Sequence, residues 1–311
     1  MLDVNHILVV LDSDHPEQVA LDRALWLARS LDADLTLMTN TYEAYCEEGS
    51  PLTAIDSDTQ QRIKQALLNK AENWIDSFIS EAEADGVEVD TEVHWQKHLH
   101  DAVIESMRNK CFDLVIKGTQ PHSLVDRIFT HTDWNMLRHC PAPVLLVKEA
   151  KPWQHNRILA AIDATAPDQS HDLINDNILS FAEHLADHFD TDLHLGNAYP
   201  LVSVAFAMVP EVTAPDDIQH YVTEQHEDAC QQWAQKFNVN NDHLHIGEGD
   251  TDDVIAGFAN DIEADLVVVG TVGREGLSGV LIGNTAESLV DKVPCDVLVI
   301  KPLDGVRPDA D

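Results

Sequence analysis

The feature that most restricts this chain is that it repeats itself. The segment Ile7-Leu-Val-Val-Leu-Asp12 returns as Ile158-Leu-Ala-Ala-Ile-Asp163, a shift of 151 residues, and Asp113-Leu-Val-Ile-Lys-Gly118 returns as Asp265-Leu-Val-Val-Val-Gly270, a shift of 152. Pro143-Val-Leu-Leu-Val-Lys148 and Asp296-Val-Leu-Val-Ile-Lys301 differ by 153, and Leu35-Thr-Leu-Met38 answers Leu193-His-Leu-Gly196 at 158. Matches in unchanged order with so little drift indicate a duplication, and a repeat changes how every later signal is interpreted. The hinge falls in Glu149-Ala-Lys-Pro-Trp-Gln-His-Asn156, where Pro152 interrupts regular structure, so the expected domains are residues 1–150 and 151–311. A length of 311 residues suits two cores of ordinary size.

Within each copy, short apolar runs alternate with longer stretches of helical period. That alternation marks a parallel sheet covered on both faces, because such strands lose the in-out alternation of a half-exposed sheet. Copy one reads as strands over 7–11, 35–38, 87–95, 114–117 and 144–147, with helices over 17–31, 59–84 and 101–110. Copy two repeats the order, with helices over 172–188, 217–236 and 251–262 and strands near 243–246, 266–269 and 297–300. The predicted fold is α/β: two tandem open five-stranded parallel sheets flanked by helices, Rossmann-like. In the helix over 59–84, Ile63, Leu67, Lys70 or Ala71, Trp74 and Phe78 recur at helical spacing as one apolar stripe, which makes Trp74 a core residue rather than a cofactor platform.

Charge excludes several function classes. Lysine and arginine number 19 against 55 acidic residues, a formal net charge of -36 that repels nucleic acid and anionic lipid. Such acidity fits a salty setting, where counter-ions screen self-repulsion. No apolar run approaches the ~18–20 residues that span a bilayer, and the N-terminus lacks a basic leader, so a cytoplasmic protein with no membrane or nucleic-acid partner is expected. The 5 cysteines are scattered without a C-x-x-C, as reduced thiols are.

Ligands of open parallel sheets bind beyond the carboxyl ends of the strands, where strand order reverses. Copy two carries its strongest pattern there: Gly270-Thr-Val-Gly273, nine residues, then Gly283-Asn284-Thr285-Ala-Glu287 opening a helix. Glycines let backbone approach an anion, and amides at a helix N-terminus meet phosphate. Asn284 and Glu287 also have the spacing of a helix cap, a purely structural alternative. Asp163, ending the first strand of copy two, offers a carboxylate to ribose hydroxyls or a base amine.

Together these residues resemble the universal stress protein family, whose ATP-binding members carry G-x2-G-x9-G followed by Ser or Thr, and an Asp after the first strand. The resemblance covers essentially the whole chain, twice. It implies an adenine-nucleotide alpha-hydrolase-like fold whose two halves pack as an internal pseudo-dimer. It further implies that Asp163 contacts adenosine, that Gly270 and Gly273 border ribose and phosphates, and that Gly283, Asn284 and Thr285 hold phosphates. Asn284 departs from the pattern, standing where many ATP-binding members have Ser or Thr. In copy one the loop glycine is absent, replaced by Phe129-Thr-His-Thr-Asp-Trp134; with Leu137-Arg-His-Cys-Pro141 this is similar to the E-type tandem branch. Asp12 is then a fold remnant without a ligand.

The leading expectation is a stress-response regulatory protein whose second domain binds ATP or another phosphate-containing ligand and whose surface meets protein partners. The apolar stretch Tyr199–Pro210 keeps open a scaffold or carrier of an amphiphilic ligand, with a buried helix or an interdomain contact as its structural alternative. A weak ATPase or autophosphorylating protein is the third reading, with Thr271, Ser278 or Thr285 as phosphate acceptor; no catalytic residue is marked by spacing. His184/His188 and His94/His98/His100 have loose metal-like spacings but no third ligand at a defined interval, and no metal site is predicted.

Overall fold

The computed structural model describes residues 4–47, 56–80, 86–119, 131–165, 169–201, 216–271 and 284–301. The chain divides into two compact units, Asp3–Pro152 and Trp153–Asp311. In the first, strands β1 (His6–Val10), β2 (Asp34–Asn40), β3 (Val89–His94), β4 (Leu114–Gly118) and β5 (Val144–Val147) alternate with helices α1 (Val19–Leu31), α2 (Ser57–Asp76), α3 (Leu99–Asn109) and α4 (His131–His139). In the second, β6 (Arg157–Ala161), β7 (Asp192–Tyr199), β8 (Leu244–Glu248), β9 (Leu266–Gly270) and β10 (Asp296–Ile300) alternate with α5 (Gln169–Phe189), α6 (Asp216–Lys236), α7 (Thr251–Asp261) and α8 (Asn284–Lys292).

The strands of the first unit run in the order β3-β2-β1-β4-β5 and those of the second in the order β8-β7-β6-β9-β10. The pairings within each unit are parallel, with Ile7 opposite Leu35 and Leu114 in one and Ile158 opposite Leu193 and Leu266 in the other. Thus the expected α/β fold, with parallel sheets flanked by helices, is the one observed. Ile7, Leu8, Val9 and Val10 are buried in succession, as a strand covered on both faces must be. Each such side chain contributes about 1.5–3 kcal/mol relative to exposure. In the first unit α1 packs on the sheet through Val19, Leu21, Leu25 and Leu27, and in the second α5 does so through Ile174, Ile178, Phe181 and Leu185.

The duplication extends to helix ends and strand entries. Asp32 and Asp190, each just past the first helix of its unit, adopt left-handed backbone with φ of 56° and 51°. The following amides reach back to the helix, Ala33 to the Ala28 carbonyl and Thr191 to the Ala186 carbonyl. This geometry ends a helix while satisfying its last carbonyls. Asp113 and Asp265 also play one part in both units. The Asp113 carboxylate accepts from the amides of Asn5 and His6, at 2.9 and 3.0 Å. The Asp265 carboxylate accepts from those of Gln154 and His155, at 2.8 and 2.9 Å. Each aspartate thereby fixes the entry of the first strand beside the fourth.

One expectation needs correction. The helix read over 59–84 is interrupted after Asp76: Ser77 caps α2, its hydroxyl donating to the Trp74 carbonyl, a turn covers 77–78, helix resumes at 79–80, and 81–84 lie outside the described residues. The apolar stripe did not reveal this break because Trp74 and Phe78 still meet across it, edge to face at 5.2 Å. In the segment that replaces the glycine loop in copy one, helix α4 begins at His131.

Candidate functional site

Strand order reverses in the second unit between β6 and β9. The first strand has its successor on one side and the fourth strand on the other, and in open sheets of this kind ligands bind beyond the carboxyl ends of the strands at such a point. Asp163 follows β6 and Gly270 ends β9, so the parallel pairing of these strands brings the two to the same end of the sheet.

A set of buried amides holds the backbone at Asp163. From α5, Asn175 accepts from the Asp163 amide at 3.3 Å and donates to its carbonyl at 2.7 Å, so one side chain clamps both backbone groups. From β7, Asn197 donates to the neighbouring Ile162 carbonyl at 3.0 Å. Because its amide nitrogen is so engaged, its oxygen is the acceptor for His226 of α6 at 2.8 Å, which places the proton on His226 Nδ1. The other ring nitrogen accepts from the Thr165 hydroxyl at 3.4 Å, and the ring stacks on Tyr199 at 4.8 Å. Burial lowers the pKa of His226, opposed by the Asp163 charge, which keeps the imidazole neutral. The same surroundings push the Cys230 thiol up to about 12, first by burial and then by Asp163, so this cysteine is a packed thiol and no nucleophile. Asn175 and Asn197 are buried, whereas Asp163 itself is exposed. The scaffold therefore fixes the backbone and presents the carboxylate to solvent.

Gly270 has a different reason to be glycine than phosphate contact. A Cβ there would stand 2.7 Å from Ile174 Cδ1, 2.8 Å from Ile174 Cγ1 and 2.9 Å from Ile178 Cδ1. Its counterpart Gly118 meets Val19 Cγ2 at 2.8 Å, so both copies need a bare backbone where the first helix crosses the fourth strand. This glycine does not distinguish a phosphate loop from its degenerate copy. Thr271 is fully buried, its amide donating to the Ile300 carbonyl at 2.8 Å, and Thr119 does the same to Val147. A hydroxyl so enclosed cannot reach a nucleotide, which removes Thr271 from the phosphate acceptors considered above. Asn284 and Thr285 open α8, where the helix was expected to begin. Gly273 and Gly283 lie outside the described residues, as do Ser278 and the apolar stretch after Leu201.

Asp12 shows what the equivalent position becomes in copy one. Its carboxylate accepts from the Asp14 amide at 3.0 Å and pairs with His15 Nδ1 at 3.0 Å, while Gln18 replaces the asparagine clamp on its backbone. Asp12 is folded onto its own loop.

Parallel sheets of this order, wrapped by helices and carrying an exposed acid where the order reverses, define a Rossmann-like α/β protein with two repeated domains. The chain belongs to the universal stress protein family, whose profile matches residues 4–148 and again 155–301. It is similar to Universal stress protein E of Escherichia coli (strain K12), 31% identical over 300 residues that cover 96% of this chain and 94% of that protein. A homolog of that protein from Haemophilus influenzae is 32% identical over 305 residues, covering 96% and 97%. Among solved structures, a functionally unknown protein from Pseudomonas aeruginosa PAO1 is similar at 30% identity and a TM-score of 0.74, covering 97% of this chain and 94% of that one. No helix among the described residues is long and apolar enough to cross a membrane.

Proposed function

We propose that the second domain binds ATP or a related nucleotide in the crevice beyond β6 and β9, and that the protein acts in the stress response by presenting an occupancy-dependent surface to partners. The observation that carries this reading is the asymmetry between Asp163 and Asp12. Both aspartates are exposed, but Asp163 stands above a buried Asn175–Asn197–His226 scaffold and, among the described residues, its carboxylate makes no local bond like those that tie Asp12 to Asp14 and His15. A preorganised, solvent-facing carboxylate at a strand-order reversal suits hydrogen bonds from ribose hydroxyls or a base amine. The amides at the start of α8 suit an anion. In this assignment Gly273, Gly283, Asn284 and Thr285 take the phosphates, Asp163 takes the nucleoside, and Gly270 lets α5 pack close beneath them.

Calorimetric titration of the full chain with ATP tests the assignment. Asp163→Ala is expected to weaken binding by about 10–100-fold, the cost of removing one to two charge-assisted hydrogen bonds. Asp12→Ala should leave it unchanged. Equal effects of the two substitutions, or none from Asp163→Ala, would overturn the assignment.

A further inference from the structure

At the opposite end of β7 from Asp163, four ionisable side chains gather that no spacing pattern in the sequence connects. His194 lies on β7 and His245 on the neighbouring β8, where the parallel register sets Gly196 against His245 and so puts the two histidines on one face of the sheet. His243 belongs to the short 3-10 turn Asn241–His243 that leads into β8, and its ring stacks on that of His194 with centroids 4.1 Å apart. Asp192 begins β7 two residues before His194.

We propose that Asp192, His194 and His243 form a binding site for a first-row divalent cation of the Zn2+ type, with His245 as the residue that orients His194. One ligand atom from each of the three lies within 4.8 Å of the others. A tetrahedral ion with bonds of 2.0–2.1 Å separates its ligand atoms by about 3.3 Å, so closing the set draws these atoms together and turns the His194 and His243 rings out of their parallel stack. Hydrogen bonding already prepares the nitrogens. His243 Nδ1–H donates to the Leu193 carbonyl at 3.2 Å, which leaves its Nε2 with a lone pair. His194 Nδ1 lies 2.9 Å from His245 Nε2, while His194 Nε2 is buried with no hydrogen-bond partner among the described residues, in a residue only 7% exposed. A buried ring nitrogen without a partner calls for an explanation, and a metal ion supplies one. With the ion on Nε2, the proton of His194 stays on Nδ1 and is donated to His245. A metal-bound imidazole is commonly oriented through a hydrogen bond from its second N–H, and here the acceptor is another imidazole.

The ligand types point to the ion. Two imidazoles and one carboxylate suit zinc and its neighbours rather than calcium or magnesium, which take oxygen ligands. Arg157 adds positive charge nearby, and the Asp192 carboxylate offsets it. Three protein ligands leave a further position to solvent. The bound ion would tie the start of β7 to the turn preceding β8, the edge strand of its unit.

The test is calorimetric titration of the untagged, chelator-treated full chain with Zn2+, repeated with Co2+ to read its visible absorption bands. A single saturable equivalent is expected, with tetrahedral-type Co2+ bands. Both signals should be lost in His194→Gln and in His243→Ala, and retained in His184→Ala/His188→Ala, which removes the other histidine pair. His245→Ala should weaken binding by about 10–100-fold without changing the stoichiometry. If His194→Gln fails to fold, the half-buried His243 of the turn decides the matter. No saturable Zn2+ binding to the native chain, full binding in His243→Ala, or loss only in the His184→Ala/His188→Ala variant would overturn the proposal.

Discussion

Gly270 carries two readings at once, and packing settles what its missing side chain is for. Ile174 and Ile178 of α5 fill the space a Cβ would need, and Val19 does so at Gly118. Gly270→Ala and Gly118→Ala should each destabilise their own unit by about 1–3 kcal/mol, the usual cost of overpacking. Denaturant unfolding followed by hydrogen exchange in each unit reads the effect, and an unchanged midpoint would contradict it. From sequence the glycine looked like part of a phosphate loop, because a glycine at a strand end signals close approach without saying what approaches. The clamp on Asp163 was illegible for a related reason. Asn175, Asn197 and His226 come from three elements and converge only after folding, each being an unremarked polar residue in its own segment. Asp163 itself could be read, since it ends an apolar run that the duplication aligns with Asp12.

At the scale of elements, the strands were the most legible part of the chain. Runs such as Ile7–Val10 and Leu266–Val269 are apolar throughout because helices cover both faces, and the structure buries them all. Polar edge strands were harder to read, and they hold the charged clusters. On β3, His94 pairs with Glu92 at 3.0 Å and with Glu105 of α3 at 3.2 Å, while Ser106 donates to Glu92 at 2.5 Å. The Glu92 hydrogen bond raises the His94 pKa above 6.5 against the opposing effect of burial, with Glu105 assisting. His94 lowers that of Glu92 below 4.5, and Gln96, then His94, lower that of Glu105 below 4.5. Lys110 and Arg108 add positive charge beside the two glutamates.

The signs then fix a pH window. A raised histidine stabilises the fold fully below its unfolded pKa and ceases to do so as pH rises through its folded value; the lowered glutamates contribute above their unfolded pKa and fade as pH falls through the folded one. The β3–α3 pairing should therefore be most protected in mildly acidic solution, between about pH 4.5 and 6.5, and lose protection as pH rises through the raised folded-state pKa of His94. Hydrogen exchange of β3 across that range should show the loss, and His94→Gln should flatten it. Protection that rises steadily to pH 8 in the native chain would contradict the assignment.

For the molecule as a whole, net charge dominates solution behaviour. With 55 acidic residues against 19 basic ones, self-repulsion opposes compaction in dilute buffer. Raising salt from 0.1 M to 1 M shortens the screening length from about 10 Å to about 3 Å, and the thermal midpoint should rise with it. A flat or falling midpoint would show that the acidic surface is not under repulsive strain. Duplication was the most legible property at this scale, and the family profile matches the chain twice. The divergence of the two sites was visible only in part. The lost loop glycine could be seen in copy one, but not that Asp12 had turned onto His15 and Asp14. That divergence is what makes the account specific, because it assigns one nucleotide to a chain with two family domains. The most direct test is the ATP stoichiometry of the full chain at matched salt, measured alongside Gly283→Val. The account predicts a single equivalent per chain, abolished by the substitution; two equivalents, none, or one that survives Gly283→Val would contradict it.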